Sequence, residues 1–198
     1  MKVLVACEFS QEVTRAFRER GHEAYSCDIL PTEGNPEWHI QDDVLKHLND
    51  GWDLMIAHPP CTYLANSGVQ HLHKDISRWD KLKDGRAFFM KLYNAGIPRI
   101  AVENPIPHKF AELPKYSQII HPYYFGEEAD KTTCLWLKNL PGLMATYVYP
   151  KGKRYIDKNG KSNGSYWYQV LSRKDSRKNR SRTFQGIANA MAEQWGGI

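Results

Sequence analysis

A chain of 198 residues and 22.9 kDa can bury one core without disulfides or metal, and its length fits one domain. With 41% apolar and 25% charged residues it is not collagen-like, coiled-coil or wholly disordered, and no run approaches the ~18 to 20 uncharged apolar residues of a membrane helix. The net charge of +5 is modest, and an acid as early as Glu8 comes too soon for a secretory signal, so a soluble, cytoplasmic protein is expected.

Lys2 to Cys7 is a β-branched and aliphatic run, followed by Ser10 as helix N-cap and by Val13, Ala16 and Phe17 at helical spacing before Gly21. This reads strand, tight loop, helix. His22 to Asp28 is a second strand ending in an acid, and a helix through Val44, Leu45 and Leu48 leads to Gly51. Trp52 to Ala57 is a third, apolar strand that stops at Pro59-Pro60. Between Asp75 and Asn94, Trp79, Leu82, Phe89 and Leu92 or Tyr93 recur on one helical face, and Gly96 supplies the stop. Arg99 to Glu103 is a fourth strand closed by Asn104-Pro105; Tyr116 to Phe125 and Thr132 to Leu137 are two more, before Pro141-Gly142. Phe184 to Trp195 closes the chain as a helix. Strands alternating with helices imply right-handed crossovers and a mostly parallel, doubly wound α/β sheet covered on both faces.

Residues 145–182 hold eleven basic side chains against Asp157 and Asp175, a local +9 that leaves −4 on the rest of the chain. Tyr147, Tyr149, Tyr155, Tyr166, Trp167 and Tyr168 are interleaved with those charges, as suits a surface that neutralises phosphates and offers rings to bases. The alternative is a solvated hairpin that only aids solubility. Asp157-Lys158-Asn159-Gly160 places an Asn-Gly pair where a type I′ turn would close a small basic hairpin appended to the single domain 1–198.

Cys7, Cys27, Cys61 and Cys134 are spaced by 20, 34 and 73 residues with no Cys-x-x-Cys, which argues against a zinc site and a disulfide framework, so no metal is expected. In an open α/β sheet, ligands bind at the carboxyl ends of the strands. There lie Glu8-Phe9-Ser10, Asp28, His58-Pro59-Pro60-Cys61 and Glu103-Asn104-Pro105. An acid after the second strand suits a ribose hydroxyl, while the missing G-x-G-x-x-G and G-x-x-x-x-G-K-[ST] disfavour a dinucleotide or triphosphate. A Cys at one strand end and a carboxylic acid at its neighbour can attack and protonate one heterocycle between them. Taken singly, Cys61 also reads as a small buried residue and Glu103 as a helix cap.

Pro59-Pro60-Cys61, and Val102-Glu103-Asn104-Pro105 42 residues beyond the Cys, resemble the catalytic loop and the Glu-Asn-Val motif of the DNA cytosine-5 methyltransferase family, the last motif departing at its final position. Phe9 resembles the phenylalanine of that family's first motif, Asp28 its ribose acid, and Asp43-Val44 the pair beside its adenine. The resemblance spans residues 1–140 and the final helix. It implies a Rossmann-like fold and S-adenosyl-L-methionine as cofactor, held by Phe9, Ser10, Asp28, Asp43 and Pro60. It implies Cys61 as the thiolate that adds to cytosine carbon 6, activated by nearby cations, and Glu103 as a buried, protonated donor to ring nitrogen 3. The first loop lacks the family's glycines, and of its later Q-x-R-x-R motif, after Phe125-Gly126, only Lys131 remains, leaving that task to Lys131 or to Arg180 and Arg182. The large target-recognition domain is missing, so the chain resembles a compact, phage-like form. DNA contact then falls to Lys151, Lys153, Arg154, Lys158, Lys161, Trp167, Arg180 and Arg182, with the target cytosine flipped out or single-stranded. The rival readings are cytosine-5 chemistry on RNA or a free cytidine nucleotide, and a non-catalytic DNA-binding relative.

Overall fold

Each strand alternates its side chains between two apolar layers, and that alternation sets the architecture of the computed structural model, which describes residues 1–151, 154–165 and 181–198. Seven strands form one sheet: β1 (Lys2–Ala6), β2 (Glu23–Cys27), β3 (His39–Ile40), β4 (Leu54–Ala57), β5 (Arg99–Asn104), β6 (Gln118–Ile120) and β7 (Thr133–Lys138). Their order is β3-β2-β1-β4-β5-β7-β6. The first five run parallel, and β7 enters antiparallel between β5 and β6. The expected α/β class and mostly parallel, Rossmann-like sheet are therefore observed. The chain walks outward from β1 to β3 and resumes at β4 on the other side of β1, which creates a switch point between β1 and β4.

Val3, Val5, Leu54, Ile56, Ala101 and Leu135 face one layer, covered by α1 (Glu12–Arg18) and α3 (Gln185–Trp195). Leu4, Ala6, Met55, Ala57, Val102 and Trp136 face the other, covered by α2 (Ser77–Tyr93). Burial on both faces is why the central strands read as unbroken apolar runs. Leu82, Phe89 and Leu92 supply the buried face of α2, whereas Trp79 stays half-buried and packs edge-on against Phe110. In α3 the small residues Ala188, Ala190 and Ala192 are buried beside Met191 and Trp195. A Cβ at Gly186 would overlap the Phe125 carbonyl oxygen, so glycine is required where α3 begins. Among the described residues no helix is long and apolar enough to cross a membrane.

Several local expectations are corrected. Ser10 is not the N-cap of α1: Gln11 precedes the helix in a left-handed conformation with φ 59°, and the buried Glu8 carboxylate accepts from Val13 N (2.7 Å) and Thr14 N (3.2 Å). The tight turn after β1 folds the carboxylate back onto the helix N-terminus, where it satisfies two orphan donors. The helix expected through Val44, Leu45 and Leu48 is a single 3-10 turn, Val44–Lys46, capped by Asp43. Past it the His47 carbonyl accepts both from Asp50 N (3.3 Å) and from the Trp52 indole (2.7 Å), and the chain turns away at Gly51, whose φ is 76°. Strand β3 has no counterpart among the expected strands, and Tyr116 to Phe125 contracts to β6 because Pro122 opens a 3-10 turn.

The basic hairpin forms as β8 (Arg154–Ile156) and β9 (Ser162–Ser165), but its turn is not type I′. Of the turn residues only Gly160 has positive φ, and Gly160 N donates to Asp157 O (2.9 Å). Asp157 Oδ1 accepts from Asn159 N and Lys161 N, both at 2.9 Å, favouring a type I turn followed by a left-handed glycine.

Candidate active site

The carboxyl ends of β1, β2, β4 and β5 converge at the switch point. At β1 the chain turns sharply through Cys7, whose φ is 60° and whose N–H donates to Cys27 O on β2 (2.7 Å). Burial, followed by the charges of Asp28 and Asp43 among its neighbours, pushes the Cys7 thiol well up, so both acids stand near the end of β1. Asp28 Oδ1 accepts from Leu30 N (2.9 Å), and Ile29 and Leu30 beside it are exposed. Asp43 is exposed, with Oδ1 accepting from Leu45 N (3.0 Å).

Phe9 is half-buried, and its carbonyl accepts from Glu33 N (3.0 Å) and Thr32 Oγ1 (2.9 Å), tying the first loop to the loop after β2. In that glycine-free loop Gln11 does the fastening: its amide donates to Ser26 Oγ (3.0 Å) and Asn35 O (2.9 Å), and its carbonyl accepts from Asn35 N (2.7 Å). Ser10 is buried and Pro60 exposed.

On the other side of the switch point, Pro59-Pro60 carries the chain out of β4 to a half-buried Cys61. The Cys61 carbonyl accepts from Leu64 N (3.1 Å) and Ala65 N (2.9 Å). This loop is stitched to the loop after β5 by Asn66 N donating to Ile106 O (2.8 Å), His108 N to Leu64 O (3.0 Å) and the fully buried Asn104 Nδ2 to Pro59 O (3.3 Å). Cys61 is thus presented by the loop after β4, and Glu103 by the end of the adjacent parallel strand β5.

Glu103, at the end of β5, is reached by His58 Nδ1 at 3.4 Å and lines a cleft with Lys131, Thr133, Arg182, Phe184 and Met191. Burial opposes ionisation of Glu103, but the His58 hydrogen bond, the Lys131 charge and the Thr133 hydroxyl together outweigh it and hold the carboxyl below its ordinary value. The expectation of a Glu103 kept protonated by burial is therefore corrected for the free protein. Cys61 also departs from expectation. Burial and then the Glu103 charge push its thiol up, and Lys131 opposes them only in part.

The DNA-facing expectations divide three ways. Lys151 Nζ and Arg154 NH1 lie 3.6 Å and 3.9 Å from Asp130 Oδ2, while His121 Nδ1 lies 3.2 Å from Asp130 Oδ1, which ties the hairpin to the sheet. Lys158 and Lys161 stand exposed at the turn. Arg182, which lines the cleft, pairs with Glu12 (3.5 Å) and Glu33. Lys153, Trp167 and Arg180 lie outside the described residues.

The sequence reading placed Glu8 and His58 at these strand ends without giving either a role, and it missed Thr133 and Gln11. The signal for His58 was its place one residue beyond an apolar strand and three before Cys61. A shallow depression lined by Arg15, Arg18, Gly21, His22 and Trp38 lies at the opposite, amino end of the strands and gathers no nucleophile. Among the described residues no group of three or more His, Cys, Asp or Glu side chains could hold a metal ion.

No protein-family model and no curated protein matches the chain. Among solved structures it is similar to a protein described as a DNA modification methyltransferase encoded within a prophage (E. coli), with 13% identity and a TM-score of 0.48 over 76% of this chain and 52% of that one. It is also similar to the Entamoeba histolytica methyltransferase EhMeth, with 15% identity and a TM-score of 0.45 over 75% of this chain and 57% of that one. The chain spans little more than half the length of these structures.

Proposed function

We propose that this chain is an S-adenosylmethionine-dependent methyltransferase acting on carbon 5 of cytosine in DNA through a covalent adduct at Cys61. The observation that supports this most strongly is the placement of Cys61, on the hydrogen-bonded loop after β4, and Glu103, at the end of the adjacent strand β5, with the Lys131 charge acting on both. Cytosine carbon 5 is a poor nucleophile. When the Cys61 sulfur bonds to carbon 6, the ring double bond shifts and nitrogen 3 takes a proton, leaving enamine character at carbon 5. The proton lost by the thiol balances the one gained by nitrogen 3, with Glu103 as its carrier. After carbon 5 gains the methyl group its own proton passes to water, the sulfur–carbon bond breaks, and nitrogen 3 returns its proton through Glu103 to the Cys61 sulfur.

Arming of the two groups is coupled. The Glu103 charge is the second cause holding the thiol up, so proton uptake by Glu103 favours ionisation of Cys61. Entry of the base dries the carboxyl group and pushes it in that direction.

The residues at the ends of β1 to β3 fit a nucleoside cofactor. Asp28 and Asp43 supply carboxylates for hydroxyl and amino hydrogens, and the exposed Ile29 and Leu30 supply an apolar flank for a base. S-adenosylmethionine, when bound, supplies an electrophilic methyl group. Phe9, tied back through its carbonyl, shapes the same loop.

Residues 145–182 are read as a basic insert of one domain, 1–198, whose Lys158 and Lys161 meet phosphates. The proximity of Asp130 to both Lys151 and Arg154 favours a second reading, a small cytidine nucleotide as substrate, because its single negative charge offsets part of the hairpin's positive charge. Incubation with tritium-labelled S-adenosylmethionine and duplex DNA, single-stranded DNA, RNA or dCMP separates the readings. Label at cytosine carbon 5 of DNA supports the proposal; label on RNA or dCMP alone supports the alternative, and DNA binding without label overturns both.

A further inference from the structure

Parallel pairing sets Ala57 beside Val102, so the next residues lie side by side, His58 just past the end of β4 and Glu103 still within β5, where it pairs with Leu135. His58 N donates to Ala6 O on β1 (2.9 Å), its side chain is only 9% exposed, and Nδ1 lies 3.4 Å from Glu103 Oε2. The other ring nitrogen, Nε2, is buried without a hydrogen-bond partner among the described residues. A histidine kept only for packing would satisfy both nitrogens or be replaced by an apolar residue, since a buried unpaired ring nitrogen costs about 1–3 kcal/mol. This imidazole instead spends its one hydrogen bond on the acid at the centre of the site.

We infer that His58 is a positioning residue for Glu103, fixing the rotation of its carboxyl group and the point at which that group takes up the proton destined for nitrogen 3 of the base. The inference rests on the cytosine-5 reading given above. A carboxylate accepts where Nδ1–H donates, so the contact restrains one oxygen and leaves the other for the base. The remaining groups acting on Glu103 are Lys131, two residues before β7, and Thr133 at its start; the Glu103 charge acts in turn on Cys61 and Cys134, Arg182 lines the same cleft, and His58 also acts on Glu8 after β1. After burial, which opposes ionisation, the His58 hydrogen bond is the largest influence on Glu103.

The test labels glutamate with carbon-13 at the side-chain carboxyl, assigns Glu103 with Glu103→Gln, and titrates the free protein by NMR. In wild type Glu103 titrates below its ordinary value; in His58→Phe, which keeps the bulk and loses the donor, the midpoint moves up by about one pH unit or more. His58→Gln keeps an N–H donor and gives a smaller shift, and it serves as the second variant should His58→Phe fold poorly. In methyl-transfer assays His58→Phe lowers kcat ~10- to 100-fold with KM for DNA little changed, moves the Glu103 limb of the pH profile upward, and is partly rescued by His58→Gln. A Glu103 titration identical in wild type and both variants overturns the pairing. Absence of methyl transfer by wild type, with the titration shifts intact, overturns instead the cytosine-5 reading and with it the proton's destination.

Discussion

Glu8 and Glu103 are both enclosed carboxyls at strand ends, yet their surroundings move them in opposite directions. Burial dominates at Glu8 and raises it, despite the His58 charge and the bonds from Thr14 and Val13. At Glu103 burial is outweighed by His58, Lys131 and Thr133, and the net shift is downward from 4.5. A lowered folded-state value stabilises the fold above the unfolded value, and that contribution is lost as pH falls through the folded value. Glu103→Gln should therefore cost stability at pH 7 and little below the folded value, as urea denaturation at the two pH values will record; equal losses at both would refute the shift. Glu8→Ala strands the N–H groups of Val13 and Thr14 and the Thr14 hydroxyl, and should cost about 1–3 kcal/mol by the same method. Cys61→Ser should abolish turnover while fold and cofactor binding persist, because a hydroxyl is far less ionised than a thiol. Cys27→Ser, at a thiol fully buried in the last position of β2, should retain most activity.

Among the elements, α3 reports how closely the far end of the chain frames the cleft. Phe184 and Met191 line it beside Glu103, and the Trp195 indole donates to Pro141 O (3.0 Å) to lock the helix against the sheet. Gly186→Ala must displace the Phe125 backbone or the start of α3, an overpacking worth about 1–3 kcal/mol, and should lower activity out of proportion to the loss in thermal midpoint. Strands β1, β4, β5 and β7 were legible in the sequence because burial on both faces makes them continuous apolar runs, and α2 because its buried residues keep helical spacing. The turn at 44–46 was not, since three apolar residues at helical spacing do not distinguish a single 3-10 turn from a longer helix. Cys61 and Glu103 were legible as a pair. His58 was not, because a lone histidine gains meaning only from the parallel register that sets it against Glu103.

At the scale of the whole molecule, charge is segregated, with +9 in residues 145–182 against −4 elsewhere. Lys151 and Arg154 are exposed but lie beside Asp130, so DNA phosphates must compete with that carboxylate for them, while Lys158 and Lys161 stand exposed at the turn. Replacing Lys151, Lys153, Arg154, Lys158 and Lys161 by Gln should weaken DNA binding and reduce the slope of log affinity against log salt by ~0.9 for each phosphate that is no longer neutralised. Trp167→Ala should lower affinity with little change of slope, because stacking releases no counterions. Neither should alter a rate on dCMP, and an unaltered salt slope in the Gln variant would place the DNA-binding surface elsewhere. The covalent step itself is read most directly by intact-mass measurement of the protein mixed with S-adenosylmethionine and DNA carrying 5-fluorocytosine, since fluorine at carbon 5 cannot leave as a proton does and the adduct persists. Wild type should gain the mass of the methylated strand at Cys61 and Cys61→Ser should gain none; methylation of ordinary cytosine with no such adduct on the fluorinated strand would contradict the mechanism.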